Sequence, residues 1–304
     1  MTVLTNNLGL NLTTEKIQLV EIVQKEKDLF LENVDQEFFE ETLNDFSKES
    51  KFIHILQNAY NEIILRKSIS SDKVALSVPH NIFKIFELPI DNNLTKNDIK
   101  DYIAWEISKL LPAEPENSLS YQTINLINPK QENFKRVLIY VIPKLKLKFI
   151  HKFCSRNNLR LKLVDNAHIA ASLLIPKEFN NENYLSVNIE TDDYSFIYFH
   201  KGKIALEEHK QLDSVSDLNK LVSKFIKNLE ERFGINSKIK NIFLFGSLSS
   251  SEVKHNLEEQ LNIMVNIIYP FKNLKISEQL QENKIITNNF SKFTSVTSMA
   301  LRTV

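Results

Sequence analysis

The chain has 304 residues, with 38 Lys+Arg against 38 Asp+Glu, so no net field draws it towards nucleic acid or anionic lipid. Its one cysteine, Cys154, excludes an intramolecular disulfide and fits a reducing compartment. Only four glycines occur (Gly9, Gly202, Gly234 and Gly246), no two within six residues, which excludes a Walker A loop and a GxGxxG turn. No apolar run approaches the roughly 18 residues that span a bilayer. The opening MTVLTNNLG lacks the basic-then-apolar order of a secretory signal, and the expectation is a soluble cytoplasmic protein.

Leu8–Leu12, Ile17–Gln24 and Leu29–Val34 read as three consecutive strands. A helix is expected from about Ser50, because Phe52, Ile55, Leu56, Ala59 and Ile63 recur at helical spacing. KVALSVP and IFKIFELP are strand-like and closed by prolines. LTKNDIKDYIAWEISKLLP is a strong helix: Thr95 and Asp98 form a capping box, the stripe is Ile99, Tyr102, Ile103, Ile107, Leu110 and Leu111, and Pro112 ends it. Strands follow at Leu119–Ile127 and Lys135–Ile142, a helix at Leu145–Asn157, a strand at Leu159–Val164 and the short helix NAHIAASLL. Polar PKEFNNENY reads as a link.

The second half repeats the first: strand, turn, strand, the tight HKGK turn, strand, then a helix carrying Leu218, Leu221, Val222, Phe225, Leu229 and Phe233 with Gly234 at its end. KNIFLFG is a buried-type strand, Ser249–Leu261 a helix and Ile263–Ile268 a strand. The pattern is a weak internal duplication of an α/β unit.

Few side chains invite chemistry. Trp105 reads either as core of an amphipathic helix, the commoner case, or as a partner contact. The acidic run Glu190, Asp192 and Asp193 could meet a cation, but a solvated turn is the ordinary reading because no other ligand set is evident. The seven histidines show no HxxxH or HExxH spacing; only His200 and His209 could meet, across the Gly202 turn. The apolar stripe explains Cys154 better than a pairing with His151 does. The basic cluster KLKLKF (144–149) could face lipid headgroups or an acidic partner, a solvated face being the ordinary reading.

LGLNLTTEKIQLVEI resembles the opening GIDIGSSSIKLVEL-type hairpin of the PilM-like platform proteins of type IV pilus assembly, within the actin-like ATPase superfamily. VALSVP with FELP, the Trp105-Glu106 helix ending in Pro112, SLSYQ, NIFLFGSLSS, YPF and the terminal MALR match the family's motifs in order. The resemblance covers nearly the whole chain. It implies an α/β, actin-like (ribonuclease H-like) two-lobe fold: lobe 1 over residues 1–180 with an inserted subdomain at about 73–143, and lobe 2 over 181–304.

Positions that hold phosphate and metal in the family carry Asn11, Thr13 and Gln18 in the first hairpin and Asn188 and Glu190 in the second. Gly246, Ser247 and Leu248 replace the glycines of the adenosine turn. Asn lacks the charge a hard cation wants, Thr suits a positive-φ turn poorly, and Glu190 would put a carboxylate near phosphate. The subdomain that clamps the base is reduced or missing between Gln211 and Ser214.

The expectation is therefore no catalysis, no nucleotide cofactor and no metal. The resemblance implies a cytoplasmic scaffold, peripheral on the inner membrane through the N-terminal peptide of a PilN-type bitopic protein. The peptide would lie in a groove between the main and inserted subdomains of lobe 1, and Trp105 is the candidate contact. Ring self-association and contact with a pilus motor ATPase are implied too; nucleic acid and a membrane span are not. The alternatives are a nucleotide-binding actin-like protein with an atypical site, and the cytoplasmic platform subunit of type II secretion.

Overall fold

A computed structural model describes residues 5–43, 48–115, 118–127, 134–191, 193–211, 214, 217–234 and 238–302. The chain opens in an antiparallel meander of β1 (Thr5–Leu12), β2 (Lys16–Lys25) and β3 (Asp28–Phe38). Helix α1 (Glu49–Arg66) presses Phe52, Leu56 and Ile63 onto Leu8, Leu10, Leu12, Ile17 and Leu19. β4 (Lys73–Val78) pairs parallel to β1, and β8 (Arg160–Asn166) parallel to β4. Between those two strands, α3 (Lys144–Arg156) adds Phe149, Ile150, Phe153 and Cys154 to the same core.

A three-stranded sheet, ordered β5–β7–β6, stands apart: β5 (Lys84–Asp91), β6 (Leu119–Leu126) and β7 (Phe134–Pro143). Helix α2 (Lys96–Leu110) covers one face, with Ile103 and Ile107 against Leu88, Ile90, Val137, Ile139 and Val141. The Thr95–Asp98 capping box is formed in both directions. The inserted unit begins later than residue 73, because β4 belongs to the first sheet. Every residue of β4 after Lys73 is buried, as a central strand requires, whereas β5 mixes exposed and covered positions.

Short α4 (Ala167–Ser172) and a 3-10 turn (Lys177–Asn181) lead to the second sheet. β9 (Tyr184–Ile189), β10 (Asp193–His200) and β11 (Lys203–Gln211) form its meander. Lys201 and Gly202, both at positive φ, make the tight turn. Helix α5 (Leu218–Phe233), β12 (Asn241–Phe245), α6 (Ser251–Leu261) and β13 (Met264–Ile267) complete the unit. Its strand order β11–β10–β9–β12–β13 repeats the order β3–β2–β1–β4–β8 of the first sheet, so the duplication is topological. Residues 212–217 are all that separate β11 from α5, which leaves no room there for a folded subdomain.

The C-terminal segment departs from the expected lobe 2. β14 (Lys275–Ile276) pairs with β3 of the first sheet. α7 (Lys284–Asn288) follows, and α8 (Thr294–Leu301) sets Val296 and Ala300 against Val20, Ile22 and Leu31. Gly9 permits this approach: a Cβ there would lie 2.2 Å from the Val296 carbonyl oxygen and 2.7 Å from the Ala300 nitrogen. The second sheet thus ends at Ile267, and the chain then returns to the first. No helix among the described residues is long and apolar enough to cross a membrane.

Candidate functional site

Three turns converge where the two large sheets face each other: β1–β2, β9–β10 and β12–α6. Asn11 and Gln18 are cross-strand partners in the first hairpin. Asn11 Nδ2 donates to Gln18 Oε1 at 2.8 Å, and Ser77 Oγ donates to Asn11 Oδ1 at 2.8 Å. This buried amide network is neutral and internally paired, so it needs no cation and no phosphate to complete it.

Thr13, which suits a positive-φ turn poorly, does not take one. Its hydroxyl instead accepts from the backbone N–H groups of Glu15 (3.2 Å) and Lys16 (3.0 Å). N–H groups that a phosphate hairpin would offer to an anion are consumed by the turn's own side chain.

The tips then close on each other. Thr191 Oγ1 donates to Glu15 Oε2 at 3.3 Å, and buried Lys16 Nζ donates to Ser247 Oγ at 3.2 Å. Leu248 N–H donates to the Ile189 carbonyl at 3.1 Å, which ties the β12–α6 turn to the end of β9. Burial pushes the Glu190 carboxyl up to about 7, with Ser247 and Lys16 opposing that rise. Burial likewise lowers the Lys16 ammonium, while Glu190 raises it. Gly246, at φ 105°, passes so close to β9 that a Cβ would lie 2.4 Å from the Ile189 oxygen and 2.6 Å from Asn188 Oδ1. The Glu190 carboxyl and the Lys16 ammonium thus both lie beside Ser247 between the lobes.

What space remains is small. The cavity bounded by Asn11, Thr13, His80, His168, Asn188, Glu190 and Asp193 measures about 30 Å³. A small-molecule pocket is typically about 300–1,000 Å³. Neither Asn11 nor Asn188 can supply charge to a divalent ion, and Glu190 would repel a phosphate. These residues do not fit a magnesium nucleotide. Beside Ser247 lies a hollow of about 840 Å³, lined by Leu218, Ser247–Glu252, Asn288 and Lys292 among others.

The remaining sequence candidates separate. Trp105 is 50% exposed, with Lys109 Nζ 3.2 Å above its ring, so it is not core. His200 and His209 do not meet: His200 lies opposite Lys203, and His209 opposite Ser195. Asp192 lies outside the described residues, and Asp193 bonds His209 at 3.1 Å. Cys154 is buried and its thiol is pushed up to about 12, as an apolar-stripe residue would be. Among the described residues no histidine, cysteine and carboxylate group could hold a metal.

Sequence spacing missed two junctions between the sheets. His168 is buried between Ser195 Oγ (2.6 Å) and Ser186 Oγ (2.9 Å), and burial, with His209 adding to it, lowers it to about 3. His80 stacks on His209 at 3.8 Å and faces Glu207, to which the Tyr140 hydroxyl donates. These partners lie tens of residues apart, and no local motif marks them.

The sequence matches no protein-family model and no curated protein. Solved structures do resemble the fold. The PilM–PilN type IV pilus biogenesis complex aligns over 97% of this chain and 98% of its own, at 14% identity and a TM-score of 0.75. A Bacteroides thetaiotaomicron protein with an actin-like ATPase fold and unknown function aligns over 93% and 96%, at 16% and 0.51. The cytoplasmic domain of EpsL, an inner membrane component of the Vibrio cholerae type II secretion system, aligns over 95% and 98%, at 10% and 0.50. The chain has the actin-like two-lobe fold.

Proposed function

We propose that this chain is a non-enzymatic platform scaffold of a type IV pilus machine. It would sit on the cytoplasmic face of the inner membrane, holding the cytoplasmic N-terminal peptide of a PilN-type bitopic protein. The observation that carries the proposal is the end-to-end likeness to a chain of the PilM–PilN type IV pilus biogenesis complex. The closed cleft supports the non-enzymatic half: Lys16 donates to Ser247 across it, Thr191 donates to Glu15, and the space left measures about 30 Å³.

The inserted unit offers a place for an extended peptide, because β5 is an edge strand of its sheet and could accept another by backbone pairing. Exposed Trp105 lies on the helix that covers the same sheet. Two observations favour other readings: the hollow beside Ser247 leaves space for a nucleoside without its phosphates, and the EpsL likeness points to type II secretion.

A pull-down of the tagged chain from native membranes tests the proposal. It should co-purify an inner-membrane protein with one span and a short cytoplasmic N-terminus, and deleting that N-terminus should abolish capture. Recovery of soluble partners alone would contradict it.

A further inference from the structure

Helix α3 has the sequence KLKLKFIHKFCSR: five Lys and Arg in 13 residues and no carboxylate. The chain as a whole is charge-balanced, so this is a local concentration rather than part of a global field. Phe149, Ile150, Phe153 and Cys154 hold one face in the core. Lys144, Lys148, Lys152 and Arg156 follow one another at i, i+4 spacing and form a ridge about 18 Å long on the opposite side. Lys144, Lys148 and Arg156 are exposed and, among the described residues, have no ion-pair partner within 4 Å. Glu49 pairs with Lys152 and also lies in the field of Lys148 and Arg156. Glu114 lies near Lys146, off the ridge. Beside the ridge Leu145 stands 52% exposed.

We propose that α3 is a membrane-contact face whose partner is an anionic phospholipid surface. A rigid, straight row of cations with an apolar side chain at its end fits a flat layer of phosphate headgroups above acyl chains. Lysine stems would lie along the surface with their ammonium groups among the phosphates, and Leu145 would enter the boundary. Four to eight such cations on an amphipathic helix are the usual mark of anionic-lipid recognition, each adding roughly five-fold in partition. A pocket-bound acidic peptide would need a groove, and a convex helix ridge provides none. The contact would orient the scaffold on the bilayer independently of the bitopic partner. It goes beyond the proposed function and is tested without that partner.

The test is co-sedimentation of the full chain with phosphatidylcholine vesicles with and without about one-third phosphatidylglycerol. Binding should require phosphatidylglycerol and weaken in 0.5 M salt, where the Debye length is well below the roughly 8 Å of physiological salt. Lys144→Gln/Lys148→Gln should lower partition roughly 25-fold, two cations at about five-fold each. Lys144→Arg/Lys148→Arg should keep it, and Leu145→Ser should reduce it. Unchanged melting curves confirm that these surface variants fold. Equal binding to neutral vesicles, no binding to either, an unaffected Gln variant, or binding to polyglutamate but not to vesicles would each overturn the proposal.

Discussion

Glu190 and the Asn11–Gln18 pair divide the work of closing the cleft. The amides replace charge with a neutral hydrogen-bonded pair, and the glutamate sets a carboxyl of the chain beside Ser247. Burial holds the Glu190 carboxyl near 7 rather than its ordinary 4.5, so folding is penalised once the group must ionise. That penalty is absent below pH 4.5, grows as pH rises towards 7, and is constant above. Wild type should therefore lose stability relative to Glu190→Gln over pH 4.5–7, by up to about 3 kcal/mol. Urea melts across that range check it, and parallel curves for the two proteins would contradict it. The family resemblance, rather than spacing, singles out Asn11, Gln18, Asn188 and Glu190, and the hairpin register then sets Asn11 opposite Gln18. The Thr13 turn was not legible, since a hydroxyl that caps its own N–H groups leaves no spacing signal.

Among the elements, α2 and α8 mark the two extremes of what periodicity shows. The α2 stripe and its Thr95 cap are plain in the sequence, and the helix forms where they place it. Trp105 lies off that stripe, which is why it emerges half exposed. Trp105→Ala should then lower unfolding free energy by less than about 1 kcal/mol, against the 3–5 kcal/mol of a buried aromatic. If Trp105 is the partner contact, the same variant should weaken peptide binding about thirty-fold, the equivalent of roughly 2 kcal/mol. A large fall in melting temperature would return Trp105 to the core.

Helix α8, by contrast, is buried from Thr294 to Ala300 and small-residue-rich, so it shows no amphipathic period, and β14 is two residues long. That is why the return of the C-terminus to the first sheet could not be read. Gly9 depends on it: Gly9→Ala would force a methyl into the Val296 carbonyl and should cost about 3 kcal/mol or more. Thermal melts would show this as a shift of several degrees, and an unshifted melt would mean that α8 does not press on β1.

At the scale of the molecule, the duplication follows from strand order, which the sequence carries, whereas the start of the inserted unit and the return of the C-terminal segment to the first sheet do not. The cement between lobes is long-range. His80 stacks on His209, Tyr140 donates to Glu207, and Arg136 Nη1 donates to the Ala205 carbonyl at 3.4 Å. Glu87 pairs with both Arg136 and Arg232. Side chains of the chain itself span the gap between the lobes. The central claim is that this fold is kept as a scaffold and not as a nucleotide machine. Isothermal calorimetry with ATP and Mg²⁺ tests it most directly. The account predicts no saturable heat, and binding tighter than about 100 µM, roughly −5.5 kcal/mol, would contradict it.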